Sequence, residues 1–97
     1  MLYLTPLLGF ERADGWYRGE HVNQVAHGMG RIDGDDRYQI GEFKNGKGNG
    51  HHTTYRANGK IWEESNFIDG KLQGHVTQFN PDGSIKEESD WIHGVKQ

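Results

Sequence analysis

The chain has 97 residues, 15 of them glycine and 11 aromatic, with no cysteine and a formal net charge of −3 that divides almost evenly between its halves. A chain of this length makes one domain that buries only about two-thirds of its unfolded surface, so its core is small. Disulfides and thiolate metal sites are excluded, and without a cluster of Lys and Arg the chain lacks the counterion-displacing charge that direct nucleic-acid binding needs.

Met1 to Phe10, MLYLTPLLGF, is the most apolar stretch. It has no basic start, no apolar run long enough for a bilayer and no small-residue cleavage site, so it reads as neither a signal peptide nor a membrane span. Residues 1–14 are expected to form an N-terminal cap, a strand or plug covering the open end of a repeat array, because bare sheet edges are a liability. The sharper alternative is an apolar patch for self-association or a partner. With no cysteine and no leader, a reducing, cytoplasmic location is expected.

Residues 15–36 form a first, irregular row. Trp16 and Tyr17 open a strand, Asn23 to Ala26 stand in for a tight turn, and His27-Gly28-Met29-Gly30 begins a return strand expected to be shorter than its later counterparts. Terminal repeats are often atypical. Asp33, Asp35 and Asp36 crowd the next turn; without the spacing and closing Glu of a calcium loop, they are expected to be solvated.

From Arg37 the chain nearly repeats itself. Residues 37–60, RYQIGEFKNGKGNGHHTTYRANGK, and residues 61–84, IWEESNFIDGKLQGHVTQFNPDGS, put Phe43 over Phe67, Gly46 over Gly70, Lys47 over Lys71, Gly50 over Gly74, His51 over His75 and Gly59 over Gly83. A half row, residues 85–97, continues the match at Ile61/Ile85, Glu63/Glu87, Glu64/Glu88, Ser65/Ser89 and Gly70/Gly94. A fixed period in this range marks a repeat architecture, each unit being one supersecondary element that cannot bury its apolar face alone.

Asn45-Gly46, Asp69-Gly70 and His93-Gly94 recur at one position of the row, and Asn58-Gly59 and Asp82-Gly83 at another. Asn-Gly and Asp-Gly between β-rich runs are strong hairpin signals, because the tight turn needs positive φ. Each row is thus two strands and two turns. The runs between turns hold Tyr, Phe, Trp, Ile, Val and Thr with no sustained 3.6-residue apolar period. The predicted fold is all-β, a single antiparallel β-meander built of hairpin repeats.

GEFKNGKGNG from Gly41, and YRGE from Tyr17 followed by HGMG from His27, resemble the MORN repeat (membrane occupation and recognition nexus). Its pattern runs Tyr-x-Gly-Glu-Phe/Trp, a short Asn-Gly loop, His-Gly-x-Gly and an Asp/Asn-Gly turn. The resemblance covers nearly everything from Gly15 onward. The opening aromatic is Tyr17 in the first row but Gln39, Glu63 and Glu87 later, and His27-Gly28 becomes Asn49-Gly50 and Gln73-Gly74. The later rows are similar to the divergent bacterial variant of the repeat found in small antitoxin-like proteins. The resemblance implies a hairpin-repeat fold, with His27 as a packing residue beside its glycine.

The titratable residues do not assemble a reactive centre. His51 and His75 share a column, so one strand separates theirs and their backbones lie about 10 Å apart, too far for one tetrahedral zinc. His51 and His52 point to opposite faces. Glu63-Glu64 and Glu87-Glu88 also alternate faces, and their matched columns are again about 10 Å apart, with no second layer to desolvate either. Gly46-Lys47-Gly48-Asn49-Gly50 lacks the Gly-Lys-Ser/Thr ending and the following helix of a phosphate loop. The expectation is no enzyme, no cofactor and no metal.

What remains is a surface. Phe43, Phe67 and Trp91 should form one aromatic ladder and Tyr55 and Phe79 another. Tyr38, Trp62 and Trp91 are the expected partner-binding anchors, being large residues with little rotamer entropy. Glu63, Glu64, Glu87, Glu88 and Asp90 would complement a basic partner. A chain that opens at Met and holds nothing but repeats is expected to act stoichiometrically on a partner protein, as a small inhibitor or antitoxin of bacterial or phage type. The alternatives are a structural adaptor, a homodimer pairing its sheet edges, or, less favoured without a basic cluster, a membrane-lipid binder.

Overall fold

The computed structural model describes residues 3–4 and 9–97, and among these residues eleven strands form one antiparallel sheet. They are β1 (Tyr3–Leu4), β2 (Phe10–Arg12), β3 (Gly15–Val22), β4 (Val25–Asp33), β5 (Arg37–Lys44), β6 (Lys47–Arg56), β7 (Ile61–Ile68), β8 (Lys71–Leu72), β9 (Gly74–Phe79), β10 (Ile85–Ile92) and β11 (Val95–Lys96). From β3 onward spatial order follows chain order, the meander that the turn spacing predicts. β8 and β9 are two halves of one return strand along β7, separated at Gln73. Both β1 and β2 pair with the outer edge of β3, at Tyr3↔His21 and Phe10↔Tyr17. That edge is therefore covered; the rest of the expected cap, residues 1–2 and 5–8, lies outside the described residues.

Turn chemistry explains the hairpins. Asn45 and Gly46 take φ of 51° and 83°, and Asp69 and Gly70 take 49° and 80°, the paired positive values of a type I′ turn whose twist matches that of the flanking strands. Asn23 and Gln24 adopt the same conformation without a glycine, at 49° and 63°. At the opposite end, Gly59 N–H donates to the Arg56 carbonyl and Gly83 N–H to that of Asn80, closing two matching loops. The first return strand is scarcely shortened: β4 has nine residues against ten in β6, because part of the length difference is taken up in the loop before β5.

Successive hairpins are keyed together at their tips. The N–H groups of Gly46, Gly70 and Gly94 donate to the carbonyls of Ala26, Gly48 and Leu72, each at 2.8 Å. Beside them, the N–H groups of Asn45, Asp69 and His93 donate to His27 Nδ1, Asn49 Oδ1 and Gln73 Oε1 at 3.3, 3.1 and 2.9 Å. The slot that reads His, Asn, Gln along the repeats holds a side-chain acceptor each time. His27 is therefore an acceptor for the next turn, which is a more specific role than the packing one its motif implied.

Strand alternation divides the sheet into two faces. The core face carries Tyr17, Ala26, Ile32 and Phe43, all buried, with Phe10 packed against them. Its rings run on as a chain, with centroids 5.0 Å apart for Phe10–Tyr17, 5.4 Å for Tyr17–Phe43, 5.0 Å for Phe43–His52 and 4.9 Å for His52–Phe67. The expected Phe43–Phe67 ladder is thus bridged by His52, since residues of one column sit two strand spacings apart and a ring from the strand between must fill the gap. Fully burying a side chain such as Phe43 stabilises the fold by about 1.5–3 kcal/mol.

On the open face, Tyr55 stacks on Tyr38, with centroids 4.9 Å apart and planes 16° from parallel, so the second expected ladder is also replaced by a pair on neighbouring strands. Asp33 is not the solvated turn residue that its neighbours imply. Arg18 Nη2 donates to it at 2.8 Å and Arg31 Nε at 2.9 Å. Burial opposes its ionisation, but the two guanidinium groups outweigh that and hold its carboxyl below the usual range.

Candidate functional site

Beyond its apolar part the core face becomes polar. The register aligns Gln39, Thr54, Glu63, Gln78 and Glu87 in one row across β5, β6, β7, β9 and β10. Gln78 Nε2 donates to Glu63 at 3.1 Å, and Gln39 Nε2 to Thr54 Oγ1 at 3.4 Å. Lys96 Nζ pairs with Glu87 and holds its carboxyl below the usual range.

Trp62 joins this row through an irregularity in the ladder. Tyr55 pairs with Ile61 and Thr54 with Glu63, which leaves Trp62 as the extra residue of a β-bulge. A bulge re-aims a side chain, and here it brings the indole to Arg37 and Arg56. The two guanidinium carbons lie 3.6 and 4.7 Å from the Trp62 ring centroid. Each such contact contributes about 0.5–1 kcal/mol at an exposed position. Arg56 Nη2 also donates to the Phe79 carbonyl at 2.9 Å, so the indole is held before anything binds.

A groove of about 530 Å³ runs over the row, with Arg37, Trp62, Glu63, Gln78 and Lys86 in its lining and Asp14 at its rim. Lys86 occupies a corresponding bulge in β10, between Ile85 and Glu87. Asp14 is held by Arg12 through two hydrogen bonds of 2.9 Å, while the Arg12 guanidinium carbon sits 5.3 Å from the Phe43 ring centroid. The groove therefore offers both signs of charge around one fixed indole, an arrangement that suits a polar polypeptide surface.

His52 and Ser65 lie directly opposite each other on the core face, both about 1% exposed. His52 Nε2 sits 2.6 Å from the Glu42 carbonyl; a carbonyl only accepts, so that nitrogen carries the proton. Burial pushes the imidazole below its ordinary pKa. No hydrogen bond joins it to Ser65, whose hydroxyl is buried without a partner. On the open face His75 Nδ1 lies 3.0 Å from Asp90 and Nε2 3.0 Å from Glu88, and these two carboxylates raise its pKa. Among the described residues, no group of three or more His, Asp or Glu is placed to hold a metal ion.

The eight predicted partner-binding residues divide evenly. Trp62, Glu63, Glu87 and Trp91 lie on the core face, whereas Tyr38, Glu64, Glu88 and Asp90 lie on the open face with Tyr55, Thr53, Thr77 and His75 as their cross-strand partners. Tyr38 and Trp62 share a repeat column yet point oppositely, because β7 is bulged at that position and β5 is not. Arg37, Arg56, Lys86 and Asp14 are site residues that sequence reasoning did not single out. Among the described residues no helix is long and apolar enough to cross a membrane. No protein-family model matches the chain, and no curated protein matches it.

Proposed function

We propose that the chain is a non-catalytic protein-binding module of MORN-like hairpin repeats that holds or occludes one partner protein stoichiometrically. Its leading form is a small inhibitor or antitoxin of bacterial or phage type. The observation that carries this reading is the indole of Trp62, packed against Arg37 and Arg56 in a groove lined by Glu63 and Lys86 with Asp14 at its rim. Pre-ordering a large aromatic side chain lowers the entropy lost on association, and such residues dominate binding energy at interfaces. Affinity capture from a native lysate tests the reading. A protein recovered at near-equimolar ratio by wild type and lost with Trp62→Ala supports it, and equal recovery by both chains counts against it.

A second reading, a structural or self-associating role, is favoured by the apolar residues of the opposite face.

A further inference from the structure

Two pairs of arginines face each other directly across neighbouring strands. Arg18 opposes Arg31 between β3 and β4, and Arg37 opposes Arg56 between β5 and β6. Like charges set opposite one another repel, so each pair calls for a counter-charge. In the first pair the chain supplies it: Arg18 Nη2 and Arg31 Nε both donate to the Asp33 carboxylate, at 2.8 and 2.9 Å.

The second pair lies on the core face beside the groove, and no carboxylate among the described residues bridges it. Arg37 Nε donates to its neighbour Asp36 at 3.0 Å. Arg56 gives Nη2 to the Phe79 carbonyl, and neither it nor Lys86 is in an ion pair among the described residues. Asp14 is taken by Arg12, and Glu63 accepts from Gln78. With the Arg12–Asp14 and Arg37–Asp36 pairs set aside, Arg56 and Lys86 stand against Glu63 alone, which leaves the groove one positive charge in excess. Trp62 does not remove that excess. Its ring attracts both guanidinium groups but accepts no proton from their remaining N–H donors.

We propose that the groove takes a single carboxylate, an Asp or Glu side chain of the partner protein, against Arg37, Arg56 and Lys86 beside Trp62. The incoming group does for this pair what Asp33 does for Arg18 and Arg31. The proposal rests on the protein-binding reading above and gives its partner a chemistry. A planar carboxylate matches the guanidinium fork and brings the one negative charge that the groove lacks. A multiply charged anion fits less well, because Glu63 in the lining and Asp14 at the rim repel anything beyond that one charge. A basic segment has little to meet here: Glu64, Glu88 and Asp90 lie on the open face, and Glu87 is paired with Lys96.

Nuclear magnetic resonance titration of the isotope-labelled full chain tests it with blocked pentapeptides, Thr-Val-X-Val-Thr, carrying Glu, Gln or Lys at X. The Glu peptide is expected to move the Trp62 indole N–H and the Arg37 and Arg56 Nε–H signals. It should bind about tenfold more tightly than the Gln or Lys peptide, with the preference shrinking as salt is added. Lys86→Gln, at an exposed position whose side chain makes no hydrogen bond, should reduce the preference about threefold with an unchanged circular dichroism spectrum. Arg56→Gln should abolish it. Equal binding of the Glu and Gln peptides would overturn the carboxylate site while leaving an interface centred on Trp62 standing. So would a Glu preference that both variants retain, or inorganic phosphate displacing the Glu peptide at equal concentration, which would assign the site to phosphate. A Glu preference in a chain that captures no protein would count against the protein-binding reading and not against the carboxylate site.

Discussion

The ring of Tyr17 lies flat on the backbone of Gly30, so that a Cβ at Gly30 would meet the Tyr17 hydroxyl oxygen at 2.3 Å and its Cε1 at 2.4 Å. His52 covers Gly41 in the same way, with its Cγ 2.4 Å from a notional Cβ there. A single sheet has no opposing layer to bury its rings. This one lays Tyr17 and His52 across glycines of the neighbouring strands instead. Tyr17 is thereby completely buried and its hydroxyl donates to the Glu20 carbonyl; burial is the main reason its pKa is pushed up to about 12.

Gly30→Ala therefore overpacks the core. It is expected to destabilise the fold by about 1–3 kcal/mol, lowering Tm by about 4–8 °C for each kcal/mol. Gly34→Ala, where the nearest atom to a new Cβ is the Arg37 carbonyl oxygen at 3.4 Å, should be close to neutral. Thermal denaturation of both variants checks the contrast, and equal Tm values would refute ring-over-glycine packing.

The tip-to-tip bonds predict a second set of effects. Asn49→Ala leaves the Asp69 N–H without its side-chain acceptor, at a cost of about 0.5–1.5 kcal/mol. Gln73→Ala should act likewise on His93, loosening the β10–β11 hairpin first. Urea titration gives the global loss, and amide exchange at Asp69 and His93 reads the local one. Unchanged exchange at both amides would contradict the acceptor role.

Two histidines give opposite pH dependence. His75 is raised above its ordinary 6.5 by Asp90 and Glu88, so its contribution is fully present below 6.5 and is lost as pH rises through the folded value. His52 is lowered from 6.5, chiefly by burial. The unfolded chain then binds a proton that the folded one resists, and stability falls as pH drops from 6.5 toward the folded value. Acidification should lower amide protection factors, taken relative to the intrinsic exchange rate at each pH, around β5 and β6 while raising them around β9 and β10. Exchange at pH 5 and pH 8, repeated with His75→Ala, checks both signs.

The hairpins were legible in the sequence because Asn45-Gly46 and Asp69-Gly70 need positive φ at fixed intervals. Opposite faces for His51 and His52 followed from strand alternation. The groove was not legible. Its central residue reaches the core face through a bulge at Trp62, and a bulge adds one residue without a composition of its own, so the repeat column of Tyr38, Trp62 and Lys86 gave no hint that its members split between faces. The ion pairs of Asp33 were hidden for a related reason. Arg18 and Arg31 lie on different strands, and their convergence depends on the exact β3–β4 register.

The groove itself is tested most directly by calorimetric titration of the captured partner into three chains. Wild type is expected to saturate near one-to-one. Trp62→Ala should bind at least tenfold more weakly, about 1.4 kcal/mol or more, and Glu64→Lys on the open face within about twofold of wild type. Equal affinity for wild type and Trp62→Ala, or a partner consumed by catalytic amounts of the chain, would contradict a stoichiometric interface centred on Trp62.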